Sequence, residues 1–187
     1  MSQGFLSRLQ LGHVGMRRLF NWWPPFRAAG IRVREIAPDF RSATVELRMR
    51  LFNRNYVGTH FGGSLFAMCD PFFMIILIDA LGPDFAVWDK SATIRFRRPG
   101  RGTVAARFEI PRARIEEIRA EVAAAGRAEP RFETAVLAAD GSIVAEVEKT
   151  ISVRLSAPRT QTAPPGETAG AASVSRNPRG TPGSLST

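Results

Sequence analysis

One stretch of the chain, residues 53–71, carries the residue types that acyl-transfer chemistry needs. Its sequence is NRNYVGTHFGGSLFAMCDP, a polar, glycine-bearing loop that turns directly into an apolar run. Gly62 and Gly63 stand where a helix would begin, and the first N–H groups of a helix are free to polarise a carbonyl oxygen. Asp70 lies among apolar residues, where a lone buried charge is costly and must be neutralised or used. This spacing predicts an acyl-transfer site with Asp70 as its base or nucleophile.

The composition argues against metal and disulfide chemistry. The chain has 187 residues, with one cysteine, Cys69, and two histidines, His13 and His60. One cysteine cannot close a disulfide within the chain, and two distant histidines are too few for a histidine-based zinc site. We therefore expect no metal and no organic cofactor, and we expect a cytoplasmic location because that compartment is reducing.

The formal net charge of +9 raises the question of nucleic acid. The basic residues are mainly arginines spread along alternating segments, whereas a nucleic-acid arm is more often a continuous basic block. We expect a solvated basic surface that serves an anionic ligand, with no nucleic-acid partner. The longest apolar run, residues 71–81, contains Asp79 and is shorter than the ~20 residues that span a bilayer, which predicts no membrane span.

Hydrophobic periodicity and turn residues predict an α+β domain. Strands are expected over residues 31–36, 43–49, 88–97, 104–110, 132–138 and 143–155. A very apolar helix over residues 62–81, bent at Pro71 and ended by Gly82, lies between the second and third strands. A minor helix is expected over residues 114–125. One long apolar helix among about six antiparallel strands predicts a sheet wrapped around that helix.

The chain divides into three regions by composition. Residues 1–21 are expected to form an N-terminal helical segment, and residues 22–156 the folded domain. Residues 157–187 are rich in Pro, Gly, Ser and Thr, so they cannot bury enough apolar surface to offset their ordering entropy, and we expect a disordered tail. The sheet leaves open edges, and pairing of edges between subunits predicts a dimer or a higher oligomer.

Two motifs resemble the hotdog-fold acyl-CoA thioesterase superfamily. The first is NRNYVGTHFGGSLFAMCDPFFM and the second is LGPDFAVWDKSATIRFRRPG. The likeness extends over residues 22–155. Within the superfamily, the chain is similar to a poorly characterised branch of tetrameric acyl-CoA thioesterase-like proteins. The resemblance implies a hotdog fold for residues 22–156, a homodimer or homotetramer, and an acyl-CoA-type small molecule as substrate. Coenzyme A would then be part of the substrate and not a cofactor.

The resemblance also implies roles for single residues. Related hotdog thioesterases carry Asn, then Gly-Thr, then His-Gly-Gly, then an acid, and that spacing is kept here by Asn55, Gly58, Thr59, Gly62, Gly63 and Asp70. A backbone N–H near Gly62 or Gly63 would polarise the thioester carbonyl. Asp70 of the partner subunit would act as nucleophile or as general base for a water, which Asn55 would position. Phe61 occupies the usual histidine position, and His60, one residue earlier, is the candidate for that role.

A further set of residues is expected to contact the substrate, namely Thr59, Phe61, Phe66, Phe73, Arg97 and Arg98. The arginine-rich run over residues 95–101 suits coenzyme A phosphates, because arginine binds phosphate in a bidentate way. The alternative is an exposed charged strand and turn. The phenylalanines could line an acyl tunnel, or they could simply form the core of the domain.

Each catalytic candidate also has a structural alternative. Asp70 could be a buried acid bonded to backbone or to Asn55, without chemistry. The paired glycines could serve the close approach of a helix and a strand. His60 could be a hydrogen-bonded structural residue, and Asn55 could serve only its own turn.

The leading hypothesis is a hydrolase that acts on acyl-CoA or a related acyl thioester at a subunit interface. The alternative is a non-catalytic acyl-CoA-binding or lipid-binding protein of the same fold, because a fold alone does not confer an activity. A nucleic-acid-binding module is a third hypothesis, and it rests on charge alone.

Overall fold

The computed structural model describes residues 11–156. The predicted disordered tail over residues 157–187, and residues 1–10 of the predicted N-terminal helical segment, lie outside this part of the chain. The helices are α1 (His13–Trp22), α2 (Pro24–Ala29), α3 (Gly62–Ala67), α4 (Phe72–Leu81) and α5 (Arg112–Ala125). The strands are β1 (Ile31–Ile36), β2 (Ser42–Arg48), β3 (Phe85–Phe96), β4 (Thr103–Glu109), β5 (Arg127–Ala128), β6 (Arg131–Leu137) and β7 (Ile143–Leu155).

The strands form one antiparallel sheet in the order β1-β2-β4-β6-β7-β3, and the short β5 pairs with β7. The predicted α+β architecture, with about six antiparallel strands and a long central helical segment, is confirmed. The seventh strand is β5, whose two residues are too few to give an alternating pattern in the sequence.

The sheet packs one apolar face against the central helical segment. In β2 the alternation is complete, because Ala43, Val45 and Leu47 are buried while their neighbours are partly exposed. On the helix side, Phe72 packs in a stacked arrangement on Phe108 of β4, with ring centroids 5.0 Å apart. Apolar side chains from the helix and the strands thus share one core, whose burial is the main driving force for folding.

The central helical segment is divided at residues 68–71. Cys69 and Asp70 donate their N–H groups to the carbonyls three residues earlier, at 2.9 and 3.3 Å, which tightens the turn. Pro71 has no N–H to continue the ladder, and α4 starts immediately after it. The predicted bend at Pro71 is therefore a change of helix direction, with Asp70 at the corner.

By length and composition alone, the segment Gly62–Leu81 could cross a membrane. The core helix of a soluble protein meets the same criterion. Here, half of the apolar stretch within this segment is buried inside the fold. We interpret the segment as the core helix of the domain.

A β-bulge interrupts the pairing of β3 with β7. Asp89 pairs with Ile151 and Ser91 pairs with Thr150, so Lys90 is the extra residue on β3. Because of this extra residue, the alternation of inward and outward side chains along β3 shifts by one position at the bulge. Val87 and Asp89 lie on the inward side before it.

Candidate active site

The loop before α3 is organised by Asn55. Its side-chain oxygen accepts the N–H of Thr59 at 2.9 Å, and its amide nitrogen donates to Thr59 Oγ1 at 2.8 Å and to the His60 carbonyl at 3.3 Å. The backbone N–H of Asn55 also donates to the Thr59 carbonyl at 2.8 Å. Both amide protons of Asn55 are thus used within its own loop. The role of Asn55 in positioning a water stays a prediction. Such a water would have to donate to the remaining lone pair of the side-chain oxygen.

His60 is buried and tied to the turn between β3 and β4. Its Nε2 lies 3.0 Å from the Gly102 carbonyl, and a carbonyl can only accept, so Nε2 carries the proton. The other ring nitrogen, Nδ1, is buried without a partner among the described residues. Burial lowers the pKa of His60, and the Gly102 hydrogen bond opposes this shift only in part. His60 therefore has the structural role that the sequence left open, while its catalytic role stays a prediction.

Gly62 and Gly63 each face an aromatic ring at close range. A Cβ on Gly62 would lie 3.0 Å from the ring of Phe96, and one on Gly63 would lie 2.4 Å from the ring of Phe61. Neither glycine has a positive φ, so backbone strain does not require them. Their N–H groups open α3, and within the described residues no backbone carbonyl accepts them.

Six of the predicted site residues surround one surface depression of about 450 Å³, which we call the Gly62 depression. They are Asn55, Thr59, His60, Gly62, Arg97 and Arg98. Leu65 and Phe96 complete part of its wall. The structure therefore brings the glycine-led helix start and the arginine-rich run together at one place.

The two arginines of this depression differ in availability. Arg97 is held by Glu146, whose Oε2 lies 2.6 Å from Arg97 Nη2. Arg98 makes no salt bridge with any residue that the structure describes, and it is exposed. Arg98 is therefore the freer of the two to meet an anionic ligand.

Asp70 is not buried, contrary to the expectation from its apolar neighbours in the sequence. Its side chain is 55% exposed, because the tight turn at residues 68–71 turns it away from the core. Its Oδ1 lies 3.3 Å from Lys149 Nζ, and Lys149 also donates to the Asp70 backbone carbonyl. Oδ2 of Asp70 has no hydrogen-bond partner in residues 11–156, so one carboxylate oxygen is free for a water or a substrate.

Asp70 lies at a second surface depression, of about 300 Å³, which we call the Asp70 depression. Its wall is mainly apolar and includes Trp23, Phe26, Phe66 and Pro71. Gly62 is not among its lining residues, and Asp70 is not among those of the Gly62 depression. On one protomer, the helix start and the acid thus serve different surfaces.

The three phenylalanines predicted to contact substrate lie in three settings. Phe66 lines the Asp70 depression, and Phe61 is exposed beside Gly63. Phe73 is 2% exposed, stacks on Phe132 at 5.0 Å and meets Phe108 edge-on at 5.2 Å. Phe73 is therefore a core residue in this protomer.

Lys149 and Asp89 are site residues that the sequence motifs did not single out. Lys149 is 1% exposed, and its Nζ lies 2.8 Å from Asp89 Oδ2. The signal was available, because β7 places Lys149 between Val147 and Ile151 on an otherwise apolar inward face. Lys90, the next residue in the chain, does not pair with Asp89: it bonds Glu129 at 2.6 Å on the outer side of the bulge.

The remaining groups with possible reactivity are the single cysteine and the side chains that could bind a metal. Burial raises the pKa of the Cys69 thiol to about 12, which fits an inert core residue. No cluster of three His, Cys, Asp or Glu side chains that could hold a metal ion occurs in the described part of the chain. The expectation of a site without metal or cofactor stays a prediction.

Comparisons with known proteins extend over most of the chain. A family model described as a domain of unknown function, DUF4442, matches residues 12–153. No curated protein matches the chain.

Solved structures match across almost the whole domain. A Pseudomonas aeruginosa protein of unknown function, described as a probable thioesterase, shares 24% identity at a TM-score of 0.66, covering 75% of this chain and 93% of that one. A Haemophilus influenzae thioesterase shares 13% identity at a TM-score of 0.57, with 78% and 92% covered. A mutant of the phenylacetic acid degradation protein PaaI from Thermus thermophilus shares 26% identity at 0.50, with 71% and 100% covered. These likenesses confirm the predicted hotdog fold.

Proposed function

Because the chain belongs to the DUF4442 family and has the hotdog fold of the thioesterase superfamily, we propose that it hydrolyses an acyl thioester at an interface between two copies of itself. The observation that carries this proposal is the Asp70 carboxylate, which is exposed, held on one oxygen by Lys149 and without a partner on the other within residues 11–156. A carboxylate in that state can accept a proton from water or attack a carbonyl carbon.

The proposal requires two protomers for a geometric reason. Asp70 lies eight positions after Gly62; the six residues of α3 alone rise about 9 Å, and the turn at residues 68–71 extends the separation further. An N–H at Gly62 and a carboxylate at Asp70 of the same chain are therefore too far apart to act on one thioester carbon. Gly62 of one protomer would instead face Asp70 of its partner, which joins the two depressions into one site.

The partner in this scheme is a second copy that packs at the edge of the sheet. Strand β3 is an edge strand of twelve residues, and it exposes Trp88 and Phe96. An edge of this length favours pairing with another chain. We propose a homodimer or a homotetramer, acting in the cytoplasm, and light scattering on the purified chain would measure its mass.

The chemistry then follows from the groups present. The thioester carbonyl oxygen accepts hydrogen bonds from the N–H groups at Gly62 and Gly63, which stabilise the negative charge as it develops. In one route Asp70 takes a proton from water while the water oxygen attacks the carbonyl carbon. The carbon–sulfur bond breaks, the thiolate leaves, and the proton on Asp70 passes to the thiolate. The products are a carboxylic acid and a thiol.

In the other route, Asp70 itself attacks the carbonyl carbon and expels the thiolate, giving an anhydride that water then hydrolyses. The two routes differ in the origin of the oxygen. A single turnover in ¹⁸O-water would place the label in the released acid at once on the base route. On the nucleophile route, attack of water on the Asp70 side of the anhydride would leave the label in the protein.

An acyl-CoA is the substrate class that fits the charges. Arg98 and Arg97 line the Gly62 depression, and the exposed Arg98, which makes no salt bridge within residues 11–156, can meet a phosphate. The apolar wall beside Asp70 suits the acyl group. In this arrangement the coenzyme A tail and the acyl chain lie on opposite sides of the carbonyl.

The test is a panel of acyl-CoA chain lengths with detection of the released thiol. Asp70→Asn should lower kcat by about 100- to 10,000-fold, the usual contribution of a general base, and should leave the fold and the oligomer intact. Asp79→Asn is the matched control, because Asp79 is an exposed acid on α4 that makes no salt bridge with the described residues. Wild-type turnover in purified Asp70→Asn would refute the proposal.

A non-catalytic acyl-CoA or lipid binder is the second candidate. It is favoured by the loop before α3, because two expected catalytic side chains are engaged in structural hydrogen bonds. Asn55 donates both amide protons within its own loop, and His60 hydrogen-bonds the Gly102 carbonyl. Saturable binding without thiol release at micromolar protein would support the binder against the hydrolase.

A further inference from the structure

Lys149 is the only charged side chain that is buried among the described residues. It is 1% exposed, and it lies on the inward face of β7, where its neighbours along that face are apolar. Removing an ammonium group from water is expensive unless the charge is paired and its protons are all bonded. Such a residue in an otherwise apolar face needs an explanation.

The explanation lies in its three oxygen partners. An ammonium has three N–H donors, and here three oxygens receive them: Asp89 Oδ2 at 2.8 Å, Asp70 Oδ1 at 3.3 Å, and the Asp70 backbone carbonyl. Two of the three belong to Asp70. Lys149 therefore holds both the main chain and the side chain of the same residue.

The two carboxylates are placed for different tasks. Asp89 is the more buried, with 26% of its side chain exposed, and it makes the shorter bond to Nζ. Asp70 is 55% exposed and makes the longer bond. Asp89 thus makes the closer contact with the ammonium and anchors it. Asp70 makes a longer contact through Oδ1, and its Oδ2 has no partner within residues 11–156.

We propose that Lys149 is a positioning residue for the Asp70 carboxylate, with Asp89 as the anchor of the lysine. This inference rests on the proposed function, since it says how the reacting acid of that site is aimed. By holding Oδ1 and the carbonyl of Asp70 at the corner between α3 and α4, Lys149 sets the direction in which Oδ2 points. A carboxylate on a solvent-exposed corner would otherwise rotate among several rotamers.

The first experiment removes the ammonium. Lys149→Met keeps the length of the stem, and it should lower kcat on the best acyl-CoA of the panel by about 10- to 100-fold, as expected for a misplaced catalytic group. KM should change by about twofold at most, because binding of the substrate does not use Lys149. Lys149→Arg, which keeps the charge, should recover part of the lost kcat.

The matched control is the other lysine of this region. Lys90 forms a salt bridge with Glu129 at 2.6 Å on the exposed side of the bulge. Lys90→Met removes a lysine–carboxylate pair of similar length that also involves a residue of β3, and it should leave kcat unchanged. A general effect of losing a salt bridge would appear in both variants.

The decisive measurement is a double-mutant cycle on kcat. If Lys149 acts only through Asp70, Lys149→Met should add no further loss in an Asp70→Asn background, whereas a merely structural role would lower kcat again. Additive losses would overturn the proposal, and so would a folded Lys149→Met with wild-type kcat.

Asp89→Asn keeps the test available if Lys149→Met does not fold. It neutralises the anchor at a partly exposed position, and it should lower kcat in the wild type but not in the Asp70→Asn background. An unchanged kcat in Asp89→Asn would then overturn the proposal. Absence of turnover in the wild-type protein would overturn the proposed function and this inference with it, whereas a failure of the cycle in an active enzyme would overturn this inference alone.

Discussion

The two ends of α3 are built on opposite principles. The Gly62 end, formed by Asn55, Thr59, His60 and Gly62, is neutral and is organised by hydrogen bonds within its own loop and turn. The Asp70 end is organised by charge, with one buried ammonium between two carboxylates. At the first end the polar side chains hydrogen-bond within the loop and the turn, and no backbone carbonyl of the described residues accepts the N–H groups of Gly62 and Gly63. At the second a side-chain oxygen is left free.

This difference matches the two needs of acyl transfer. Polarising a carbonyl requires fixed donors, which the backbone supplies best when the surrounding side chains are already satisfied. Activating water requires a charged acceptor whose direction is controlled. The contrast predicts that substituting the polar side chains of the loop at the Gly62 end acts mainly on the stability of that loop, whereas substituting Asp70 or Phe66 acts on the rate or on the acyl group.

The largest expected effect separates two phenylalanines near the Asp70 end. Phe73→Ala should lower the free energy of unfolding by about 3–5 kcal/mol, because it empties a buried, stacked position. Phe66→Ala should lower it by about 1 kcal/mol or less, since Phe66 is only partly buried. Urea unfolding of both variants measures the difference.

Phe66→Ala should in return raise KM for the longer acyl chains of the panel, because Phe66 lines the depression beside Asp70. Equal losses of stability in the two variants would show that this end of the helix is closed core, and the contrast with the Gly62 end would fail.

The next effect concerns the loop at the Gly62 end. Asn55→Ala removes three side-chain hydrogen bonds, and it should destabilise the loop by about 1–3 kcal/mol. Hydrogen exchange of the Thr59 N–H should accelerate. Asn55→Asp is the control, since it keeps the oxygen that accepts this N–H. Loss of turnover in Asn55→Ala with unchanged exchange would instead assign Asn55 to the chemistry.

Much of the fold follows from local patterns in the sequence. The alternation of Ala43, Val45 and Leu47 predicts β2, and Gly82 marks the end of α4 where the structure has it. These signals depend on neighbours in the chain, which is why they succeed. The exposure of Asp70 does not follow from its apolar neighbours, because it depends on the tight turn that precedes Pro71.

The candidate site is less accessible to such reasoning. Its glycine and arginine parts come from two motifs, and in the structure both line one depression. The partners of Asp70 come from elsewhere. Lys149 lies 79 residues away on β7, and Asp89 meets it only because the sheet brings β3 beside β7. Periodicity places Lys149 on the inward face, but no local pattern names what it pairs with.

A smaller effect tests why the glycines are there. Gly62→Ala places a Cβ 3.0 Å from the Phe96 ring and Gly63→Ala one 2.4 Å from the Phe61 ring, and both rings are more than half exposed and can move away. Alanine also favours a helix over glycine by about 1 kcal/mol. The two terms oppose each other, so unfolding free energies should change by about 1 kcal/mol or less in either direction.

The same two variants sharpen the comparison through activity. Phe96 and Gly62 both line the Gly62 depression, so Gly62→Ala should displace the ring there and raise KM for acyl-CoA. Gly63→Ala keeps the N–H of the proposed carbonyl site and places its Cβ against Phe61 instead of Phe96, so the difference in KM between the two variants isolates the displacement of Phe96. An unchanged KM in Gly62→Ala would place the substrate elsewhere.

The smallest effect is a dependence of stability on pH that arises at the Gly62 end. Burial lowers the pKa of His60 below its ordinary value of 6.5. As the pH falls, the unfolded chain therefore binds the proton first, so stability is complete above this ordinary value and is lost as the pH falls through it towards the folded-state pKa. His60→Gln keeps a donor for the Gly102 carbonyl but cannot titrate. The fall in Tm between about pH 7.5 and 5.5 should be larger in the wild type than in this variant. Equal falls would mean that the buried Nδ1, which has no partner among the described residues, does not resist protonation. The Gly62 end would then not be the neutral counterpart of the charged Asp70 end.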